Sequence, residues 1–208
     1  MTPTLAKYIG DTYTVVMHIE TGDVFGSGFD ATVWKNNVTG KLTVSMQGTT
    51  GLQDFLTDVN LAVFASAQSQ LVDMVNWWLK ISTPADQSVI QIKTKVAGGP
   101  AGQFFELAPP VQGTGLILAA DIVNGIEVNG HSLGGYLATA FTSLFGSQAH
   151  VEHTNTFNSA GFAPGSEAVF TELQNLIGPS YGLGRFPNAS EQTNYFAENG
   201  LNVTTNSF

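Results

Sequence analysis

Residues 130–135 read Gly-His-Ser-Leu-Gly-Gly, and this short run decides how the middle of the chain must fold. Glycines two positions before and two positions after Ser132 allow a strand to turn sharply into a helix while the serine hydroxyl projects from the turn. Leu133 then opens the helix, so its N–H and the positive end of the helix dipole face the place where an oxyanion would develop. The run therefore predicts Ser132 as a nucleophile and Leu133 as an oxyanion donor.

The residues on both sides have the periodicity that such a turn requires. Ile126 and Val128 alternate with polar residues, as in a short half-buried strand. After the turn, apolar residues recur at helical spacing until Gly146, which we expect to end the helix. These helical positions are Leu137, Ala138, Phe141, Leu144 and Phe145. The order strand, glycine turn, helix separates this run from a glycine-rich turn that contains a serine by chance.

A second motif lies earlier in the chain. Residues 41–46 alternate like a strand and are followed by Gln-Gly-Thr-Thr at 47–50 and by Gly-Leu-Gln-Asp-Phe-Leu-Thr-Asp-Val at 51–59. Together with the Ser132 turn, this segment resembles the class 3 lipases, a lipase family of the α/β-hydrolase fold. That family carries an aromatic-Arg-Gly-Ser/Thr run, then an acidic or amide residue, Trp and an Asp-Leu pair. Gln47 stands here in place of the Arg, and Phe55 in place of the Trp.

The resemblance implies a fold and a set of roles. The fold is α/β, a mostly parallel sheet flanked by helices, with residues 1–208 as the N-terminal portion of a single domain. Thr49 matches the family's oxyanion residue, whose N–H and hydroxyl donate to the same oxygen as Leu133, and Asp58 matches the carboxylate that orients it. Without the resemblance, residues 49–51 read as an ordinary strand-to-helix turn with Asp54 as a helix cap.

The base for Ser132 is harder to find. A serine needs a base to take its proton and a third group to orient that base, and in α/β-hydrolases the chain order is Ser, Asp or Glu, His. No Asp follows Ser132, and the only later histidines are His150 and His153. Both fall on a strand predicted over 150–157, whose catalytic end lies near Asn158. His153 is roughly 13 Å short of that end at the usual strand rise, so we expect neither histidine to serve Ser132.

The later acidic residues are predicted on helix faces: Glu167, Glu172, Glu191 and Glu198. The first two belong to a helix opened by Ser166 and closed by Gly178, and the last two to another helix that ends near Gly200. Residues 201–204 read as the next strand of the sheet, and the resemblance places the acid at the carboxyl end of that strand.

We therefore expect the chain to carry the nucleophile and the oxyanion hole, while a missing C-terminal segment or a second polypeptide supplies the Asp and His. The implied activity is hydrolysis of carboxylic esters of lipids, as in triacylglycerol lipases or phospholipases A1, through an acyl-enzyme on Ser132. Three alternatives stay open. They are a self-contained site that uses Glu152, Glu191 or Glu198 with a histidine, a non-catalytic binding module on a hydrolase scaffold, and a thioesterase or peptidase of the same fold.

Charge and cysteine content exclude several classes of function. The chain has seven Lys and Arg residues and sixteen Asp and Glu residues, so its formal net charge is −9. Such a chain lacks the basic surface that binds nucleic acid through its phosphates, and an anionic membrane would repel it, so lipid contact must use apolar surface. The absence of Cys excludes disulfides, a thiol nucleophile and a cysteine metal site.

Localisation and cofactors follow from weaker patterns. The first residues lack a basic and apolar export signal, and no apolar run is long enough to span a membrane. Acidic, glycine-rich, cysteine-free chains of this kind resemble bacterial secreted lipases exported through a C-terminal signal, so we expect a secreted protein, and otherwise a cytoplasmic one. Residues 26–30, Gly-Ser-Gly-Phe-Asp, are similar to one calcium-binding repeat of those proteins. We expect no cofactor, with a structural calcium ion as the alternative.

The rest of the chain yields a coarse map. Strands are predicted over 13–19 and 31–34, the second joined through a turn at 36–40 to the strand at 41–46. A helix is predicted over 64–79, with one apolar face formed by Leu71, Val72, Val75, Trp78 and Leu79. The stretch 97–115, rich in Gly and Pro, is predicted as a loop. Three aromatic residues after the Ser132 turn are candidates for an acyl pocket, although core packing is the role expected for most of them: Phe157, Phe162 and Phe170.

Overall fold

The structure is a computed structural model, and it describes residues 2–22, 27–48, 61–95, 104–162 and 166–197, with only the backbone of 61–66. The described elements are α1 (Pro3–Thr12), β1 (Tyr13–Glu20), β2 (Asp30–Asn36), β3 (Leu42–Gln47), α2 (Leu61–Ser82), β4 (Ser88–Thr94), β5 (Phe105–Gln112), β6 (Ile126–His131), α3 (Leu133–Phe145), β7 (Val151–Phe157), α4 (Ser166–Ile177) and β8 (Gln192–Tyr195). No helix within these ranges combines the length and the apolar character needed to cross a bilayer.

Six strands form one sheet in the order β1-β2-β3-β6-β7-β8. The pairs β1–β2 and β2–β3 are antiparallel, whereas β3–β6, β6–β7 and β7–β8 are parallel. The predicted α/β class, a mostly parallel sheet flanked by helices, is therefore confirmed. Because β3, β6, β7 and β8 run in the same direction, their carboxyl ends lie at one edge of the sheet. We call this the carboxyl edge, and Ser132 follows β6 there.

One face of the sheet is buried under α2 and α3, because apolar residues occupy alternate positions of its strands. These buried positions are Ala31, Val33, Leu42, Val44, Met46, Ile126 and Val128. The predicted apolar face of α2 is confirmed, and Trp78 is fully buried with its ring 4.8 Å from Phe141 of α3 in an edge-to-face contact. The Trp78 Nε1–H donates to Gln148 Oε1 at 2.9 Å, which satisfies its one polar atom.

The opposite face of the parallel strands carries partly exposed, mostly polar side chains, and we call it the open face. Neighbouring strands are linked there by side-chain hydrogen bonds. Asn155 Nδ2 donates to Asn129 Oδ1 at 3.1 Å, and His153 Nε2 lies 2.8 Å from Thr193 Oγ1. Pairing of this kind satisfies polar groups on a sheet surface and contributes to strand register.

The prediction of a loop over 97–115 is wrong for residues 105–112, which form β5 and pair antiparallel with β4. Burial explains the strand, because Phe105 and Ile92 of this hairpin are only 3% and 2% exposed. The carboxylate of Glu172 on α4 also accepts the N–H groups of Phe104 and Phe105 at 2.9–3.0 Å, which fixes the start of β5.

The predicted helix that contains Glu191 and Glu198 is also wrong. Residues 192–195 instead form β8, parallel to β7, and Thr154 N–H of β7 donates to Glu191 O at 2.9 Å. A tight turn built on Asn188 precedes the strand, since its carbonyl accepts the N–H of Glu191 and its side chain accepts that of Ser190. Residues 201–204, predicted as the next strand, lie outside the described residues.

Helix α1 was not predicted, although its start has a sequence signal. The Thr2 hydroxyl accepts the N–H of Leu5, and Pro3 occupies the first helical position, where no N–H is needed. None of its residues is buried, so the helix has no long apolar face and no core packing from which it could be predicted.

Helix α3 approaches β3 so closely that Gly134 has no room for a side chain. A Cβ atom there would lie 2.2 Å from the carbonyl oxygen of Met46, whereas a Cβ on Gly10 of α1 would meet nothing within 4 Å. We predict that Gly134→Ala lowers the free energy of unfolding by about 3 kcal/mol, because the contact is with backbone and cannot relax by a rotamer change. Gly10→Ala should raise it by about 0.5–1 kcal/mol through helix propensity. Urea denaturation of both variants measures the difference, and equal effects would contradict the close approach.

Candidate functional site

Ser132 lies at the strand-to-helix turn, between the end of β6 and the start of α3, as predicted. Its backbone angles are φ 55° and ψ −123°, a positive-φ region that only glycine adopts freely. A non-glycine residue held there costs about 1–3 kcal/mol and persists only where its surroundings enforce it. The strain therefore has to be balanced by contacts around the turn.

The segment after β7 supplies these contacts. Ser132 N–H donates to Phe157 O at 3.0 Å, and Ser132 O accepts the N–H groups of Gly135 and Ala160, both at 3.0 Å. Asn158 lies between Phe157 and Ala160 in the chain. Its φ is positive, at 44°, and its N–H donates to Tyr195 O. The residues at and just after the end of β7 therefore hold the Ser132 turn in place on the side where β8 lies.

Sequence reasoning missed this role of residues 157–160. The available signal was Asn158, since Asn directly after a predicted strand is one of the few residues that tolerate a positive φ. That signal indicates a turn, but it does not say which other turn the segment contacts.

The glycines of the motif are required by space. A Cβ atom on Gly130 would lie 2.0 Å from Gly134 O, and one on Gly135 would lie 2.6 Å from the side chain of Ser159. Real Cβ atoms do not approach this closely, so strand, turn and helix are compressed around Ser132. The sequence-based reason for the glycines was the sharp turn, and these distances add a second one, the lack of space for a side chain.

The end of β3 passes directly beside the turn. A Cβ atom on Gly48 would lie 2.9 Å from Ser132 Cβ and 3.1 Å from the backbone nitrogen of Leu133. The Ser132 hydroxyl does not cap α3, and the Leu133 N–H has no hydrogen bond to another described residue. An amide at a helix start with no partner in the described chain is suited to bind a developing negative charge.

Thr49, the predicted second oxyanion donor, lies outside the described residues, as do Asp54, Phe55 and Asp58. Its chain neighbour Gly48 is described and contacts the Ser132 turn. The oxyanion role of Thr49 stays a prediction.

None of the four histidines is hydrogen-bonded to Ser132 in the described chain. His153 bonds to Thr193 and pairs with Glu127, five positions before Ser132, or roughly 16 Å along the strand. His150 precedes β7 at the opposite edge, where its carbonyl accepts Ile126 N–H. These positions agree with the expectation that neither residue serves as the base.

The two other histidines also make no hydrogen bond to Ser132 in the described chain. His18 lies on the outer strand β1, where its Nδ1 is 3.0 Å from Thr32 Oγ1. His131 directly precedes Ser132, but strand alternation places its exposed side chain on the open face, in register with Phe157.

Two of the acidic candidates are engaged elsewhere. Glu152 accepts a hydrogen bond from Lys41 Nζ at 2.7 Å at the amino end of β7. Glu191 precedes β8 and forms a bidentate pair with Arg185 at 2.6 and 2.7 Å. The Arg185 guanidinium, helped by the Asn188 N–H, lowers the pKa of Glu191 to about 2, so this exposed carboxylate is a stable anion away from the carboxyl edge.

Glu198 lies outside the described residues, but its chain neighbour Ala197 does not. The Ala197 N–H donates to Asn158 Oδ1 at 2.9 Å, at the carboxyl edge. Of the three glutamates considered for a self-contained site, Glu198 is the one that follows a residue anchored on the Ser132 side.

The segment compared with a calcium-binding repeat is built into the fold in another way. Ser27 Oγ donates to Asp73 Oδ2 at 2.6 Å, and Gln70 Nε2 donates to Ser27 O. Asp30 belongs to β2 and faces His18 at 3.7 Å, and desolvation raises the pKa of its carboxyl group. Gly26 lies outside the described residues, and the described part of the chain holds no group of three acidic or histidine side chains arranged for a metal ion.

The three aromatic candidates for an acyl pocket do not lie together. Phe162 and Phe170 pack with Tyr136 and Phe186 in one cluster, with ring centroids 4.8–6.1 Å apart. Phe157 is instead 42% exposed and stacks on Tyr195 at 5.0 Å. Phe162 and Phe170 therefore have the packing role expected for most of the three, whereas Phe157 belongs to the open face.

A cavity of about 370 Å³ lies beyond this cluster, lined among others by Ser143, Phe170 and Phe186. Ser143 is eleven positions after Ser132 on α3, which corresponds to roughly 16 Å along the helix axis. The cavity is therefore separate from the Ser132 turn.

No family model, curated protein or solved structure matches this chain.

The strain at Ser132 can be measured without any substrate. We predict that Ser132→Gly is more stable than Ser132→Ala by about 1–2 kcal/mol, because glycine relieves about 1–3 kcal/mol of strain and loses about 0.5–1 kcal/mol in chain entropy. The same two substitutions at Ser147, whose φ is not positive, should show the opposite order. Urea denaturation of the four variants provides the comparison. The strained turn is refuted if Ser132→Gly is the weaker of its pair.

Proposed function

We propose that this chain is a serine hydrolase of the α/β-hydrolase type that cleaves carboxylic esters of lipids through an acyl-enzyme on Ser132. The observation that carries the proposal is the backbone of Ser132, held at φ 55° and ψ −123° between a parallel strand and a fully buried helix. Strain of this kind needs a reason, and the Ser132 side chain provides none through capping, since it makes no cap hydrogen bond. Exposure of a nucleophilic hydroxyl above the sheet is such a reason.

The proposed chemistry uses the groups around the turn. The Ser132 Oγ attacks the ester carbonyl carbon, a base accepts the hydroxyl proton, and the carbonyl oxygen becomes an oxyanion. The Leu133 N–H at the start of α3 donates to this oxygen, and Thr49 adds its N–H and hydroxyl. Collapse of the intermediate expels the alcohol with the proton from the base, and water then releases the acid by the same route.

We propose that none of the four histidines of these 208 residues is the base. A further segment or a second chain supplies it instead. The support is the separation of His150 and His153 from Ser132, and the side of the sheet on which His131 lies. For the acid, the same external source is the main proposal. Glu198 keeps an internal acid open, because Ala197 before it is bonded at the carboxyl edge.

Lipid esters are proposed as substrates because of the resemblance to class 3 lipases and because of charge. A formal charge of −9 opposes anionic ligands, whereas uncharged acyl chains are unaffected by it. A triacylglycerol lipase or a phospholipase A1-like enzyme fits this description, and the same resemblance supports a secreted protein.

A non-catalytic binding module on the same scaffold is the second candidate. The specific observation in its favour is that no histidine of this chain is hydrogen-bonded to Ser132. A thioesterase or a peptidase would use the same turn as an esterase.

Reaction with a fluorophosphonate probe distinguishes these candidates. We expect slow covalent labelling of the chain at Ser132 and strong acceleration when imidazole is added, because the free base replaces a missing histidine while the oxyanion donors are already in place. Mass spectrometry of the peptide that contains Ser132 measures the rate. Ser132→Ala should abolish labelling and ester hydrolysis with little change in stability, whereas Ser147→Ala should react normally. A chain that does not react even with imidazole would contradict the hydrolase proposal.

The oxyanion role of Thr49 is tested separately. We predict that Thr49→Val lowers the imidazole-assisted labelling rate by roughly two to three orders of magnitude, as expected for loss of one oxyanion donor. Thr49→Ser keeps the hydroxyl and should retain most of the rate. Equal rates for the valine and serine variants would show that the Thr49 hydroxyl has no such role.

A further inference from the structure

Ser132 and Asn158 are neighbours at the carboxyl edge, in the first row of residues beyond the last pair of the β6–β7 ladder, His131 and Phe157. Both still make the backbone bond that a parallel ladder would give them. Ser132 N–H donates to Phe157 O at 3.0 Å, and Asn158 N–H donates at 2.8 Å to the carbonyl oxygen of Tyr195, the last residue of β8. Both residues also have a positive φ, 55° and 44°. The chain therefore leaves the sheet at the same level after two neighbouring strands.

The side chain of Asn158 replaces its own backbone carbonyl group in the ladder with β8. In a regular parallel ladder the N–H of Ala197 would donate to the backbone oxygen of Asn158. It donates instead to Asn158 Oδ1, at 2.9 Å. An asparagine side chain can take this place because its amide has the same acceptor group as a peptide and because the residue tolerates a positive φ. The main chain can thereby turn out of the sheet while the last bond to the chain after β8 is kept.

The main chain that turns out of the sheet at Asn158 returns to Ser132. Two residues later, Ala160 N–H donates to Ser132 O at 3.0 Å. Asn158 therefore lies between Phe157 and Ala160, the residues that bind the N–H and the carbonyl group of Ser132. A shift of Asn158 relative to β8 is passed to Ser132 through these two hydrogen bonds.

The segment 157–160 also lies against the first turn of α3. A Cβ atom on Gly135 would be 2.6 Å from the side chain of Ser159, and Ser159 Oγ donates to Ala160 O at 2.9 Å. The segment is therefore in contact with α3 on one side and bonded to the end of β8 on the other. On the β8 side, the bond from Ala197 N–H to Asn158 Oδ1 is the contact that a side-chain substitution can remove without changing the backbone.

We propose that Asn158 is a positioning residue for Ser132. This role rests on the proposed function, since it concerns the geometry of the attack by Ser132 Oγ. It requires no contact with the substrate, because Asn158 acts through Phe157 and Ala160, which hold the backbone of Ser132. The attacking oxygen and the Leu133 N–H have to be aligned with one carbonyl group, and a misplacement of about 1 Å at such a site can cost roughly 100-fold in rate. The side chain of Asn158 therefore contributes to the rate as well as to stability.

Three variants separate the side chain of Asn158 from its backbone conformation. Asn158→Gly accommodates the positive φ but lacks the acceptor, whereas Asn158→Asp tolerates the positive φ and keeps an acceptor. Asn188→Gly is the matched control, because Asn188 Oδ1 accepts the N–H of Ser190 at the same length, 2.9 Å, before the opposite end of β8. Thermal denaturation followed by circular dichroism confirms that each variant is folded. If Asn158→Gly does not fold, Ala197→Pro tests the same bond from the donor side, because proline has no N–H.

The rate of fluorophosphonate labelling with imidazole is measured over a range of probe concentrations. We use 1 M NaCl, where a Debye length of about 3 Å screens the charge of the aspartate variant. Asn158→Gly should lower the maximal rate about tenfold and leave the probe concentration at half-maximal rate unchanged, because the reacting atoms are misaligned while probe binding is unaffected. Asn158→Asp and Asn188→Gly should both stay within about twofold of the native rate. A purely structural role would lower the stability of both glycine variants and leave both rates unchanged.

The link to Ser132 is measured without any probe, by hydrogen exchange followed by NMR. Asn158→Gly should make the Ser132 N–H exchange about fivefold faster, the effect of one lost hydrogen bond on local opening. Asn188→Gly should leave that exchange rate unchanged. The positioning role is overturned if folded Asn158→Gly labels at the native rate, if Asn158→Asp is as slow as Asn158→Gly, or if the Ser132 N–H exchanges no faster in Asn158→Gly.

The two measurements distinguish failure of this proposal from failure of the proposed function. A native chain that reacts, together with a folded Asn158→Gly that reacts equally fast, would retain the hydrolase and reject the positioning role. A native chain that does not react even with imidazole would reject the hydrolase, and the positioning role would be overturned with it. Faster exchange of the Ser132 N–H in Asn158→Gly would then show a structural link between β8 and the turn and nothing more.

Discussion

Backbone packed against backbone, with no space for a Cβ atom, is the constraint on which the candidate site depends. At Gly130, Gly134 and Gly48 a Cβ atom would lie within 2.0–2.8 Å of its nearest neighbour. These contacts bring the end of β3, the end of β6 and the first turn of α3 to one point. Ser132 occupies that point, and its positive φ follows from the lack of room for a wider turn. The Leu133 N–H at the start of α3 is thereby left without a hydrogen-bond partner among the described residues.

The energy that holds this turn comes from α3. All of its residues are buried, among them Leu137, Phe141, Leu144 and Phe145 at 0% exposure. Each such side chain contributes roughly 1.5–3 kcal/mol through burial, so these four exceed the 1–3 kcal/mol of strain at Ser132 several times over. The turn is therefore a small local cost within a strongly favourable packing arrangement. The contacts from Phe157 and Ala160 select the geometry of Ser132, while burial of α3 makes it stable.

The parts of the fold that could be predicted are those with short-range signals. The Ser132 turn, β6 and α3 follow from glycine spacing and from periodicity over a few residues, and each has the expected bounds within one or two positions. β5 and β8 could not be predicted, because what makes them strands is a partner far along the chain. Residues 105–112 contain two prolines and an exposed leucine, yet Phe105 is buried and Glu172 binds its N–H. Residues 192–195 are polar, and their strand is defined by pairing with β7.

The candidate site also has a part with short-range sequence signals and a part that depends on distant residues. The proposed nucleophile Ser132 and the helix-start amide of Leu133 are local features, since one run of residues at 130–135 predicts the positions of both. A general base is a long-range feature, because a histidine reaches a serine only through the folding of a distant segment. In this chain the backbone at the end of β7 is hydrogen-bonded to Ser132, while His153 remains bonded to Thr193 along the sheet.

Under the proposed function, this division between local and long-range features has a chemical consequence. In serine hydrolases that lose a triad member, the oxyanion hole and substrate binding alone retain roughly 10³–10⁴-fold acceleration over water. That part of catalysis depends only on groups held rigidly by backbone contacts, and in this chain Gly48, Ser132 and Leu133 are held in that way. The remaining acceleration depends on proton transfer, which needs a base held within hydrogen-bonding distance of the serine hydroxyl. A fold that stabilises the first part through its own core can therefore receive the second from another segment or another chain without rearrangement of the turn.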